Sequence, residues 1–182
     1  MEKAEDNKTN LFLDCLTLEN VEVAREWRNN NIESLRTTYF LNDSMQKDFY
    51  EKIISDRASQ HRYFGIFKPY SSKYQNKIFI GIGGVTYIQW ENGLGEISLI
   101  LDGQHAGKGY GKESVKLLLD KAFNEMRLYT IYGECYKCNK SIGFWEKIIK
   151  LYDGYKTILP NRKFYNGEYY DSLYFSFSKI DS

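Results

Sequence analysis

The chain has 182 residues, enough for one domain with a sizeable core, and its 25 Lys and Arg against 24 Asp and Glu leave a net charge of +1. With no long basic stripe, nucleic acid is not a favoured partner. The N-terminus, MEKAEDNKTN, is charged and lacks an apolar core, and no apolar run approaches membrane-spanning length, so neither a signal peptide nor a membrane partner is expected and the expected home is the cytoplasm.

Three cysteines, Cys15, Cys135 and Cys138, are an odd set that argues against a disulfide framework. Cys135-x-x-Cys138 has no second such pair, and the only histidines are His61 and His105. No metal is expected.

Residues 1–10 are expected to fray, with one domain over 11–178. Leu11 to Leu16 predicts a first strand. Thr17 caps a helix over Leu18 to Asn29, with Val21, Ala24 and Trp27 or Arg28 on one side. Asp43 or Ser44 caps a second helix, striped by Met45, Phe49 and Ile53 and fading near Ser59. Arg62 to Phe67 reads as a strand, closed by a turn at Pro69 and Ser71-Ser72. A longer strand follows over Lys77 to Trp90, where Gly81, Gly83 and Gly84 suggest a bulge or tight packing. Glu91-Asn92-Gly93 is a hairpin turn, which pairs the strand at Ile97 to Leu101 antiparallel with its predecessor.

Next comes Gly107-Lys108-Gly109-Tyr110-Gly111, opening a helix whose Val115, Leu118, Leu119, Ala122, Phe123 and Met126 share one face. A strand over Tyr129 to Tyr136, a helix over Ser141 to Lys150, and a hairpin of Leu151 to Leu159 with Glu168 to Phe177, turning at Asn166-Gly167, complete the chain. Strands and helices interleave, but hairpins occur in the middle and at the end. That pattern predicts a mixed α/β sheet rather than a doubly wound one.

The strand, glycine loop and helix start from Ile97 to Lys112 form a phosphate cradle. Glycines let backbone N–H groups approach an anion, the helix start adds unpaired donors, and Lys108 and Lys112 add charge. A Walker loop is excluded, because Gly107-Lys108 is followed by Gly109 and Asp102 stands where the first glycine belongs. The dinucleotide fingerprint fails because Lys112 occupies its last glycine position.

The segment resembles the coenzyme A loop of the GNAT (GCN5-related) N-acetyltransferases, Gln/Arg-x-x-Gly-x-Gly/Ala. Gln104, Gly107 and Gly109 fit that pattern literally. The register with Ala106, Gly109 and Gly111 starts the helix where the family starts it, and we prefer it although Ala106 replaces the Gln/Arg. CNKSIGFWEKI resembles a second family helix, with Cys138 where the family has Asn, Asn139 displaced by one residue, and Trp145 where many members have a tyrosine that protonates the leaving thiolate. Trp27-Arg28-Asn29 and the ending RKFYNGEYYDSLYFSF look like the branch holding ribosomal-protein N-terminal and amino-sugar acetyltransferases.

The resemblance implies a single-domain α/β fold, a mostly antiparallel sheet of about seven strands flanked by about four helices. It implies acetyl-CoA as co-substrate and a primary amine, of an amino sugar or a protein N-terminus, as acceptor; a homodimer is compatible with it. The diphosphate would sit on the amides of residues 107–111, with Ala106, Lys112 and Asn139 nearby. The pantetheine arm would lie along Leu99, Ile100 and Leu101. Glu96 stands where many relatives place a base, and Trp27 and Arg28 are candidate acceptor contacts. Tyr152 and Cys138 are the remaining candidates for a proton donor. Two other readings stay open: a coenzyme A-binding module that has lost catalysis, motivated by the missing tyrosine and Gln/Arg, and a nucleotide-binding protein.

Overall fold

A computed structural model describes residues 10–70 and 77–179; the expected frayed N-terminus and the Ser71-Ser72 turn lie outside the described residues. Seven strands form one sheet in the order β1-β2-β3-β4-β5-β7-β6: β1 Phe12–Asp14, β2 Arg62–Pro69, β3 Lys77–Gln89, β4 Leu94–Leu101, β5 Thr130–Tyr136, β6 Tyr155–Tyr165 and β7 Glu168–Ser178. Four helices accompany it: α1 Leu18–Asn29, α2 Asp43–Phe49, α3 Tyr110–Asp120 and α4 Ile142–Leu151. Single π-helical turns, Tyr50–Ile54 and Lys121–Glu125, prolong α2 and α3. Each pair of neighbouring strands is antiparallel except β4 with β5.

The sheet is buried on both faces. Ile97, Ile131, Cys135, Leu173 and Phe175 pack against Val115, Leu118 and Leu119 of α3 and Ile148 and Ile149 of α4. On the other face Ile82 and Ile100 meet Leu16 and Val21 and Ala24 of α1, with Trp27, Phe49 and Tyr63 around them. Side chains of a strand alternate between faces. Since Ile97 and Ile131 look toward α3 and α4, Glu96, Ser98, Tyr132, Glu134 and Tyr136 look toward α1 and α2.

Local chemistry explains most element boundaries. Thr17 and Asn20 form a reciprocal capping box at the start of α1. Both readings of the β3 glycines hold. The register slips between Ile66 and Phe67, leaving Ile80 as the extra residue of a bulge. A Cβ at Gly83 would stand 2.7 Å from Leu118, so α3 lies hard against the strand.

Four boundaries differ from expectation. The first strand is shorter than Leu11 to Leu16, because Leu11 and Leu16 are buried at its two ends rather than paired in the ladder. Helix α2 is capped by Asn42, whose side chain accepts from the Met45 amide, and not by Asp43 or Ser44. Its predicted stripe is displaced: Met45 is exposed, and Gln46 is buried because its side-chain amide donates to the Val21 carbonyl at 2.9 Å. Helix α4 runs through Leu151, so β6 begins only at Tyr155.

Candidate active site

The β4–β5 pairing is what opens the site. These parallel strands are in register only at Leu94/Thr130, Gly95/Ile131 and Glu96/Tyr132. Beyond Glu96 the ladder ends, although β4 continues to Leu101 beside β3 and β5 to Tyr136 beside β7. The two strands splay, and among the described residues the β4 edge from Ile97 to Leu101 has no strand partner on that side. An unpaired edge is a template for an extended polar chain. Leu99, Ile100 and Leu101 lie on it and are partly exposed.

At the far end of β4 the chain makes a 3-10 turn, Gly103–His105, started by Asp102, whose carboxylate accepts from the Gln104 amide. Gly107 and Gly109 then adopt φ of +76° and +81°, left-handed conformations that cost an L side chain. Gly109 is the N-cap of α3 and offers no side-chain cap. Among the described residues, no amide from Gly107 through Lys112 donates to a protein acceptor. A Cβ at Gly107 or Gly109 would meet nothing within 4 Å. The loop is therefore open, with its donors unspent and the positive end of α3 behind it. Ala106, Lys108 and Lys112 are exposed around it, and the Lys108 ammonium donates to the Gln104 carbonyl at 3.1 Å. Gly111 serves packing: a Cβ there would stand 2.9 Å from the Phe144 ring of α4.

Asn139 sits at the start of α4 with its side-chain oxygen taken by the Ser141 amide at 2.8 Å. Trp145 is stacked on Phe175 at 4.8 Å between ring centres. It packs, partly buried, against the core and holds no proton to give at neutral pH. Tyr152 packs edge-on against Phe177, and Cys138 points its thiol at the Glu33 carbonyl, 3.5 Å away.

Because β4 begins at Leu94 rather than Ile97, Glu96 is its third residue, and it lies where the ladder ends. It is buried, and its one side-chain hydrogen-bond partner among the described residues is Arg36. Burial pushes its carboxyl above the usual range, against the pull of the Arg36 guanidinium. Arg36, half exposed, is shifted upward by Glu96, against the cost of its own desolvation. Its guanidinium also lies 3.9 Å from Glu134 and 5.5 Å from the centre of the Tyr87 ring. Burial would raise Glu134 too, but hydrogen bonds from Arg162 at 2.9 Å and Ser172 at 2.6 Å outweigh it and hold that carboxyl low. Tyr132 and Tyr174 stack beside this group, 5.9 Å apart. Tyr87 has φ +49° in a second irregularity of the β3–β4 ladder, the kind of local distortion that re-aims a side chain.

The segment carrying Arg36 is stapled down. The Leu35 carbonyl accepts from the buried Lys163 ammonium at 2.5 Å, and Glu33 lies 3.7 Å from Lys140. Sequence reasoning had singled out neither Arg36 nor Glu134. The alternation of Tyr132, Glu134 and Tyr136 along β5 is a readable signal for the second; the first stands in an aperiodic loop that carries none.

The two acceptor candidates on α1 part ways. Trp27 stacks on Phe79 at 5.3 Å and belongs to the core. Arg28 lines a cleft that reaches Ser98, Leu99 and Ile100. Among the described residues no group of three or more His, Cys, Asp or Glu is placed to hold a metal ion, and no helix is long and apolar enough to cross a membrane.

A strand edge splayed from its parallel neighbour, continued by an open glycine loop at a helix start, defines an acyl-coenzyme A transferase. The chain belongs to the acetyltransferase (GNAT) domain family, whose model matches residues 10–146; it is an N-acetyltransferase with acetyl-CoA as co-substrate. None of the curated proteins matches it in sequence. Among solved structures it is similar to a spermidine N-acetyltransferase from Vibrio cholerae in complex with CoA and spermine, with 19% identity and a TM-score of 0.80 over 94% of this chain and 96% of that one. It is also similar to mutant forms of the spermidine/spermine N-acetyltransferase SpeG from that organism, with 20% identity and a TM-score of 0.76 over 94% and 95%. A chimera of that enzyme with hSSAT has 20% identity and a TM-score of 0.76 over 92% and 95%.

Proposed function

We propose that this protein transfers acetyl from acetyl-CoA directly to a primary amine that carries one positive charge, of the amino-sugar or protein N-terminus type, with Glu96 as the base. The observation that carries the reading is Glu96 itself: a buried carboxyl, raised by that burial, at the point where β4 and β5 part. A base is most effective when its pKa is brought toward the working pH. The diphosphate of the cofactor rests on the amides of residues 107–111, and its pantetheine arm adds to the free edge of β4.

An alkylammonium near its ordinary pKa of ~10 must lose a proton before it can attack. Glu96 takes that proton, directly or through a water. The amine nitrogen then bonds to the thioester carbon as the carbonyl electrons move to oxygen; the nitrogen, now cationic, gives its second proton to water, and the returning electrons break the C–S bond. The coenzyme leaves as a thiolate, with an ordinary pKa near ~8.5, and water protonates it without help from a tyrosine. Trp145, partly buried and stacked on Phe175, takes no part.

The preference for a singly charged amine over a polyamine comes from the pairing of the carboxylates. Glu96 is engaged by Arg36 and by the reacting amine, and Glu134 is held by Arg162 and Ser172, so no carboxylate of this group is left for a second ammonium. The tyrosines offer stacking faces instead. The test is release of coenzyme A thiol from acetyl-CoA with glucosamine, a peptide N-terminus and spermidine, in wild type and Glu96→Gln. Turnover of the first or second, reduced about a hundredfold or more by the substitution, is expected on the scale of general-base catalysis. Turnover confined to spermidine, or unaffected by Glu96→Gln, would sink the proposal; binding of acetyl-CoA without any turnover would favour the binding-module reading.

A further inference from the structure

Arg28 differs from the other arginines on its face of the sheet. Arg25 is paired with Glu22 and Asp43, Arg36 with Glu96, and Arg162 with Glu134. Among the described residues Arg28 makes no ion pair, and its buried Nε has no hydrogen-bond partner. Its guanidinium lies over the face of the Phe49 ring, 5.9 Å from the ring centre. A guanidinium keeps its charge at any working pH and carries five directional N–H donors. Arg28 is partly buried, and a buried Nε–H with neither a hydrogen-bond partner nor a counter-ion nearby is unfavourable unless something arrives to pair with it.

The space in front of it is a cleft of about 100 Å³, where Arg28 meets Tyr63 of β2, Ser98 and Ile100 of β4, and Leu35 of the loop that carries Arg36. The cleft belongs to the acceptor side, because Ser98 shares the sheet face of Glu96 and stands about 7 Å from it along the strand. Helix α1 is fixed in place there. Gln46 of α2 reaches back to its Val21 carbonyl at 2.9 Å, and Val21 and Ala24 are fully buried.

We propose that this cleft binds a second group of the acceptor: an oxyanion, carboxylate or phosphate, carried a few bonds from the amine that is acetylated, with Arg28 as its counter-ion. The proposal rests on the reading of Glu96 as the group that receives the amine proton, since that sets where the amine lies. Arg28 pairs with the oxyanion through two parallel N–H bonds, the Ser98 and Tyr63 hydroxyls border it, and the apolar walls exclude water from the pair. A polycation would set an ammonium against an uncompensated guanidinium.

The experiment compares acceptors that share an amine and differ in the anion: glucosamine against glucosamine 6-phosphate, and an amino-acid amide against the free amino acid. Each pair is assayed with wild type, Arg28→Lys and Arg28→Met, and binding to the coenzyme A-loaded protein is measured by calorimetry alongside turnover. Wild type is expected to favour the anionic member of at least one pair, the phosphate or the carboxylate series showing which oxyanion is read. Arg28→Met should erase that preference by about ten- to a hundredfold in kcat/KM, the scale of a charge-assisted hydrogen bond. Arg28→Lys should keep part of it, and acetyl-CoA affinity should be unchanged in both.

No anion preference in wild type, or an equal preference in Arg28→Met, overturns the proposal while leaving amine turnover intact. Loss of acetyl-CoA affinity in Arg28→Met also overturns it, placing Arg28 on the cofactor. Arg28-dependent binding of the anionic acceptor without turnover upholds the cleft and sinks the transferase reading instead. Should Arg28→Met unfold, Arg28→Lys and the calorimetric comparison in wild type still decide.

Discussion

Replacing Gly109 by alanine separates what the glycine loop does for the fold from what it does for the cofactor. Gly109 has φ +81° and ψ −7°, and an added Cβ meets nothing within 4 Å. No clash arises, so the folding cost is conformational alone, about 1–2 kcal/mol for an L residue held in the left-handed region. For a chain of this size that lowers Tm by about 2–4 °C per kcal/mol. The effect on coenzyme A is separate. On the proposed reading the same empty space is where the diphosphate approaches the amides, and a methyl group there should displace it from at least one donor. One charge-assisted hydrogen bond, about 1.5–3 kcal/mol, corresponds to roughly a tenfold to hundredfold rise in Kd.

The assay is calorimetric titration with coenzyme A and with pantetheine, which lacks the diphosphate, combined with thermal melting. Gly103→Ala is the control. Gly103 is equally exposed and open, without a positive φ, and should bind coenzyme A as wild type does. Gly109→Ala should lose affinity for coenzyme A but not for pantetheine. If Gly109→Ala melts earlier and still binds coenzyme A as tightly as wild type, the loop does not grip the diphosphate. If pantetheine weakens equally, the loss comes from a general distortion and the reasoning fails as well.

Arg36→Met should move the acidic limb of the kcat/KM–pH profile to higher pH. Burial raises the Glu96 carboxyl and Arg36 opposes that rise, so without the guanidinium a larger fraction of Glu96 is protonated at a given pH; an unmoved limb would count against the pairing. Leu118→Ala removes a fully buried side chain that packs over the β3 glycines and should cost about 2–5 kcal/mol in urea unfolding; a loss under one would mean the helix–sheet contact is loose. Among the free thiols, exposed Cys15 should be alkylated first and Cys135 last, since burial pushes the Cys135 thiol up to about 12; peptide mapping of partly alkylated protein reads the order.

The cradle, the strand and helix order, and the long patterned helix were legible in the residues because their causes are local. Glycines at 107 and 109 permit the left-handed turns, Thr17 and Asn20 cap their own helix, and Asn166-Gly167 turns its own hairpin. A short stretch of chain contains the whole explanation in each case. Even here local rules slip where a tertiary contact overrides them, as at Gln46, which is buried in place of Met45 to satisfy the Val21 carbonyl.

The acceptor side could not be read this way. Arg36 and Glu96 are 60 residues apart, and Glu134 and Ser172 are 38 apart. What joins them is the ladder from β4 through β5 to β7 and a loop anchored by Lys163. The sequence alone settled Trp145 as a tryptophan where a proton donor was expected, but only the fold stacked it on Phe175 against the core. It also supplied Trp27 and Arg28 as adjacent candidates, and only the sheet beneath them sent one to Phe79 and the other to an open cleft. Backbone conformation follows from a residue and its near neighbours. Which charges meet, and which are left without a partner, depends on strand register, and register is set by the burial of the whole sheet.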